Sequence, residues 1–205
     1  MNAGGLLFVM MRPSAPLIEE FNEWYDTEHL QDRMSAPGFL SGNRFQSVSG
    51  EQPGFLTLYD LASVDVLDTP EYHRLSRENF TPWTRRLMRR IPRARILAEQ
   101  IHPVGAPIEP SPFLTLLRFF GTGDIQTDLV AGLVKAFEGR DGVLQLRIFA
   151  EKKENGGVDH LALVGSSVRV AHLAVEDPIG APIRHLRLVE EFVPHLFGTT
   201  WERWI

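Results

Sequence analysis

The densest cluster of reactive side chains lies between Glu20 and Arg33, in the run EFNEWYDTEHLQDR. On a helix of about 100° per residue, with Leu17 at zero, Phe21, Trp24 and Tyr25 form an apolar stripe with Ile18. Glu28 falls at about 20°, inside that stripe, and His29 at about 120°, on its edge. Asp26, Glu19 and Glu23 fall on the outward side. A carboxylate on an inward face is costly unless paired or protonated, so Glu28 is the odd residue of this helix. Beside it, His29 offers a second titratable group that ordinarily titrates near pH 6.5, about where general acid–base catalysis needs one. The plainer alternative is that Glu28 pairs with Arg44 while His29 caps the last carbonyls of the helix. Tyr59, Trp83 and His73 are candidates to line a pocket around this pair. Core packing explains the two aromatics equally well, and surface exposure explains His73.

The elements that must position these groups can be read outward from them. Leu6–Met11 reads as a buried strand. A helix follows, with Pro16 in its first turn beside Glu19 and Glu20, and Pro37-Gly38 stops it. Phe39 to Val48 and Phe55 to Leu61 read as strands joined by a turn around Ser49-Gly50 and Pro53-Gly54. Thr69-Pro70 and Thr81-Pro82 each read as an N-cap followed by proline at the first helical position. Arg95 to Ile101 is a fourth strand. Residues 103–112 carry four prolines in ten positions and read as a linker. Beyond it the pattern predicts a strand at Phe113 to Phe120 and a helix at Ile125 to Glu138. Strands at Val143 to Ala150 and His160 to Val168 come next, then a helix at Ile183 to Phe197 and a last strand at Thr199 to Ile205.

Both halves therefore read βαββαβ. The expected fold class is α+β: two tandem ferredoxin-like units, 1–102 and 113–205, forming an internal dimeric α/β-barrel. A βαββαβ unit leaves one sheet face bare, and two such faces can cover each other within one chain.

Composition narrows the function. The 205 residues carry 21 basic and 26 acidic side chains, a net charge of −5, which disfavours a general nucleic-acid binder. No apolar run approaches the ~20 residues that cross a bilayer, and no leader is evident. There is no cysteine, so thiolate nucleophiles, disulfides and cysteine metal sites are excluded. A cytoplasmic location is the simplest expectation. No HExxH pattern occurs, His185 and His195 are ten residues apart, and no metal site is expected. Neither Gly121-Thr122-Gly123 nor Gly156-Gly157 fits a nucleotide-binding fingerprint, and no nucleophile elbow is present. Arg74, Arg77, Arg85, Arg86, Arg89, Arg90, Arg93 and Arg95 cluster in one stretch. They form either an electropositive rim for an anionic substrate or a solvated helix face.

The segment Trp24-Tyr25-Asp26-Thr27-Glu28-His29-Leu30, followed by Ala36-Pro37-Gly38-Phe39 and Arg44, resembles the EthD-like and related dimeric α/β-barrel proteins. The resemblance spans about residues 6–101 and is most specific at 24–44; the second half has no such motif and would be a structural partner. It implies a pocket between sheet and helices and a functional histidine at His29. It also implies chemistry of the lyase, isomerase, cyclase or cofactor-free oxygenase kind on aromatic or polyketide-like compounds. The resulting expectation is a small-molecule enzyme with His29 and Glu28 catalytic, and Trp24, Tyr25, Arg44, Tyr59, His73 and Trp83 at the substrate. The substrate would be carboxylated and no cofactor required, with no nucleic-acid or membrane partner and a homodimer left open. The alternative is a non-catalytic binder of a hydrophobic ligand or of haem, with His185 as the axial ligand.

Overall fold

The computed structural model describes residues 3–48, 54–169 and 185–195. Eight antiparallel strands close into a barrel in the order β1-β3-β2-β8-β5-β7-β6-β4. The first four are β1 (Gly5–Met11), β2 (Phe39–Ser47), β3 (Phe55–Leu61) and β4 (Arg93–His102). The other four are β5 (Phe113–Phe119), β6 (Val143–Lys152), β7 (Val158–Ser166) and β8 (Leu186–Pro194). Each half of the chain thus supplies four adjacent strands. The seams are β2 against β8, where Phe45 meets Pro194 and Ser47 meets Phe192, and β4 against β6, where Glu99 meets Ala150. Closure leaves no strand edge to template aggregation.

Alternation along each strand sends one set of side chains inward. Leu6, Phe8, Leu56, Leu58, Ile96, Leu114, Leu116, Phe149, Leu161 and Phe192 fill the barrel interior, so the core is shared between the halves. Charged pairs also point inward, the most deeply buried being Arg147 and Asp60. Arg147 donates to Asp60 at 2.6 Å and to Gln100 at 2.8 Å, with both charged side chains 1% exposed. A buried ion pair of this kind is tolerated because each charge neutralises the other and Asp60 also accepts from Ser41 and the Ile108 amide, while Arg147 Nε and Nη1 have no partner among the described residues.

The proline-rich segment 103–112 lies against the barrel. The Ile108 amide donates to Asp60 at 2.9 Å, the Glu109 amide to Gln145 at 3.0 Å, and Gly105 bridges to Ala3. Its prolines leave few amides to satisfy, and side chains from the strands supply those partners.

The helices lie outside the barrel. Over the first-half strands run α1 (Ile18–Trp24), a π-helical turn (Tyr25–His29) and α2 (Leu30–Met34) as one continuous rod. Two short helices follow β3: α3 (Pro70–Arg74) and α4 (Pro82–Arg90), capped by Thr69 and Thr81 as the sequence indicates. Over the second-half strands lies α5 (Gln126–Phe137).

One expected element is wrong. The helix expected over Ile183 to Phe197 is instead the strand β8. Leu-Val-Glu-Glu-Phe-Val fits either period, but burial here alternates: Val189 is exposed, Glu190 buried, Phe192 buried. The open edges of β2 and β5 need a strand between them, and that demand outweighs local helix preference. The turn at 49–53 and the last strand expected at Thr199 to Ile205 lie outside the described residues.

Candidate active site

The π turn decides which residue faces the sheet. It inserts one extra residue into the helix and sets back everything after it by about 100°. His29 therefore takes the inward position that a regular helix would give to Glu28, and Glu28 rotates outward. His29 is buried, whereas Glu28 is half-buried.

The His29 ring stacks on Trp24 at 4.3 Å between centroids and meets the edge of Tyr25 at 5.1 Å. Its Nδ1 is sealed from solvent and has no hydrogen-bond partner among the described residues. Any proton it exchanges with its surroundings passes through Nε2. Burial, followed by the charges of Arg33 and Arg44, holds the imidazole well below its ordinary titration range. It is a neutral base at physiological pH.

Glu28 is occupied elsewhere. Its Oε1 accepts from Thr81 at 2.6 Å and from Thr84 at 2.8 Å. Thr84 in turn accepts the Trp24 indole N–H at 3.0 Å, so Glu28 braces the Trp24 plate under His29 rather than touching the imidazole. Nor does Arg44 pair with Glu28, as the plainer reading had it. It donates to Asp26 at 2.6 Å and to Asn22 at 2.8 Å, and lies over the Tyr25 ring at 4.3 Å. Asp26, expected to face outward, is partly buried by this pairing. Burial raises its carboxyl above the ordinary range, with Arg44 pulling the other way. Cap duty for His29 is not seen either, since the helix runs on to Met34.

His29 borders a cavity of about 390 Å³ between the first-half sheet and its helices. The floor is Leu7 and Val9 of β1, Tyr59 of β3 and Arg93, Arg95 and Leu97 of β4. Tyr72, His73, Ser76, Phe80 and Met88 form walls, and Leu67 and Asp68 close one side. Tyr59 donates its hydroxyl to that of Tyr25 at 3.3 Å, and burial pushes its phenol well above 10, so it stays protonated. The volume suits a small molecule of two or three fused rings.

Of the residues expected at a substrate, His29, Tyr59 and His73 line this cavity. Trp24 and Tyr25 stand behind His29 as its packing, while Glu28 and Arg44 hold helix contacts. Trp83 donates to Glu20 at 3.0 Å, on the far side of α4. The arginine stretch divides: Arg93 and Arg95 are at the cavity, whereas Arg74 pairs with Glu71 and Arg86 with Glu20 on the solvent side.

Arg33 is the cavity residue that sequence reasoning missed. It is 4% exposed and sits one turn beyond His29 on the same helix face. That i, i+4 spacing was the available signal. Its guanidinium donates to the Leu75 carbonyl and lies over the rings of Tyr72 at 5.3 Å and Phe80 at 5.8 Å. Among the described residues no carboxylate forms a salt bridge with it.

The second half offers no comparable site among the described residues. His160 is fully buried with Nδ1 at 2.6 Å from Thr122 and Nε2 at 3.1 Å from Gln126. His185 places Nδ1 at 3.3 Å from the Phe120 carbonyl. No group of three or more acidic or histidine side chains capable of holding a metal occurs among the described residues. Nor is any described helix long and apolar enough to cross a membrane.

No family model matches the chain, and comparison with curated proteins finds no match. Solved structures do match. An anthrone oxidase-like protein superposes with a TM-score of 0.60 at 13% identity, over 96% of this chain and 94% of the other. A candidate chlorite dismutase gives 0.61 at 8% identity, over 94% and 95%. A haem-binding protein from Thermus thermophilus gives 0.51 at 12% identity, over 95% and 92%. At these identities the likeness is one of fold: a closed eight-stranded antiparallel barrel with its helices outside.

Proposed function

We propose that the chain is a small-molecule enzyme in which His29 Nε2 acts as a general base on an aromatic or polyketide-like substrate held in the first-half cavity. The observation that carries this reading is a neutral, buried imidazole bordering a partly open hollow with cationic and phenolic groups around it. With its proton on Nδ1, the imidazole takes a proton from a carbon next to a carbonyl. The electron pair of the broken C–H bond moves into the carbonyl as an enolate. The imidazolium formed by the transfer stands beside the enolate as its counter-charge. Returning the proton to a different carbon gives isomerisation; expelling a β-hydroxyl gives dehydration, and attack on a second carbonyl gives cyclisation. Tyr59 stays protonated, its hydroxyl donating to Tyr25, and presents an uncharged phenol to the substrate. In this reading Glu28 supports catalysis through Trp24 rather than by proton transfer, and the tandem ferredoxin-like second half completes the barrel.

A haem protein has less support. Among the described residues, α5 fills the outer face of the second-half sheet, and both ring nitrogens of His160 are engaged. His185 faces a backbone carbonyl. His172 lies outside the described residues.

The test is enzyme-dependent hydrogen–deuterium exchange at C10 of anthrone and of anthrone-2-carboxylate in D2O, followed by NMR. The native chain accelerates exchange of at least one of them, and His29→Gln loses about 10²–10⁴ of that acceleration while keeping its circular dichroism. Exchange that is equally fast in native protein and folded His29→Gln removes the general base.

A further inference from the structure

Resting on that reading of the site, we infer that Arg33 is the anchor for the substrate's anionic group, and that the group is a monoanionic carboxylate attached directly to an aromatic ring. Arg33 is 4% exposed and borders the cavity, yet no described carboxylate forms a salt bridge with it; its half-buried neighbour Asp32 acts on it only through space. A buried cation without a counter-charge is costly. Two aromatic faces, Tyr72 and Phe80, and one carbonyl, that of Leu75, offset part of that cost. They leave donors of the fork unused, with Nε sealed. Elsewhere in the fold buried arginines are matched: Arg147 has Asp60, and Arg44 has Asp26. Arg33 is the exception, and it is the one at the cavity.

The charge count limits the ligand. His29 is neutral, so Arg33 is the one deeply buried charge facing the hollow; the remaining charges, Arg93, Arg95 and Asp68, stand exposed at its border, with Arg95 donating to the Tyr72 hydroxyl at 3.3 Å. A single negative charge is neutralised there, whereas a phosphate dianion brings one charge too many into a low-dielectric site. Tyr72 and Phe80 flank the guanidinium, so a planar ring attached to the carboxylate continues the stack.

The test measures binding of 2-naphthoate, 2-naphthamide and 2-naphthyl phosphate by calorimetry to the native chain and to Arg33→Met, Arg33→Lys and His29→Gln. 2-Naphthoate should bind the native chain about 10–100-fold more tightly than 2-naphthamide, the worth of a charge-assisted hydrogen bond. Arg33→Met should lose that preference and Arg33→Lys should keep part of it. His29→Gln should keep the preference for 2-naphthoate over 2-naphthamide, because that preference rests on Arg33. The comparison of the three probes needs only the native protein, so it stands even where a variant fails to fold. Equal binding of acid and amide, tighter binding of the phosphate, no binding of the acid, or an Arg33→Met chain that keeps the preference each overturn the inference. A carboxylate preference that depends on Arg33, with deuterium exchange unaffected in His29→Gln, would retain the anchor and remove the base.

Discussion

The two halves of the barrel wall carry the same strand order but are covered in opposite ways. On the second half, α5 lays Leu129, Leu133, Ala136 and Phe137 directly onto Leu117, Phe119, Leu146, Ile148, Ala162 and Val164. On the first half, the rod with the π turn and the short α3 and α4 surround a hollow lined by His29, Arg33 and Tyr59. The difference lies in the covering helices. An unbroken helix with an aliphatic stripe seals a sheet, whereas one shifted by a residue turns an imidazole and a guanidinium towards it. A π turn lacks ordinary helical hydrogen bonding and is kept where a side chain must be re-aimed.

The strongest way to break this comparison is to break what joins the halves. Asp60→Ala leaves Arg147 buried without a counter-charge and should cost about 3–5 kcal/mol in urea unfolding. A loss near zero would mean the pair is solvated in the native state. Next, Leu133→Ala beneath α5 opens a void in a packed layer and should cost about 2–5 kcal/mol. Leu97→Ala, on a wall that already borders empty space, should cost roughly 1 kcal/mol, since few contacts are lost. Equal losses at the two positions would show that the first-half hollow is closed in solution.

A third prediction uses pH. Burial holds His29 well below 6.5 in the folded chain, lowers His160 as well, and pushes His195 down to about 3. Above about pH 6.5 all three are neutral in both states, and that stability is fully present. As pH falls below that, the unfolded chain takes up protons that the folded chain refuses, so stability declines. His29 alone contributes a slope of about 1.4 kcal/mol per pH unit until its folded titration is reached. Urea midpoints at pH 7.5 and 5.5 check the sign, and an unchanged midpoint contradicts it. The smallest effect expected is that of Glu28→Gln. The amide still accepts from Thr81 and Thr84, so stability should change by about 1 kcal/mol or less, and the pH profile of exchange should not move. A shifted profile would place Glu28 in electrostatic contact with the base.

Most strands were legible from the residues because alternation and turn signals agree there, as at Leu6–Met11 and Phe55–Leu61. The caps at Thr69 and Thr81 were equally plain. Strand β8 was not, because its burial is imposed by neighbours far away in the chain. His29 was found from its type and neighbours, but the partnership with Glu28 was not. An angular argument assumes a uniform turn, and one extra residue within Tyr25–His29 reverses which of the two faces inward. Arg33 escaped notice because a charge at the end of a helix reads as solvated unless the element covering it is known.

The account rests on an imidazole and a guanidinium sharing one ligand. A crystal structure of the chain soaked in 2-naphthoate tests that most directly. The account predicts density for the ring in the first-half cavity, its carboxylate within hydrogen-bond distance of Arg33 and its ring beside His29. Density at any other place on the barrel, with that cavity collapsed or filled by protein side chains, contradicts it.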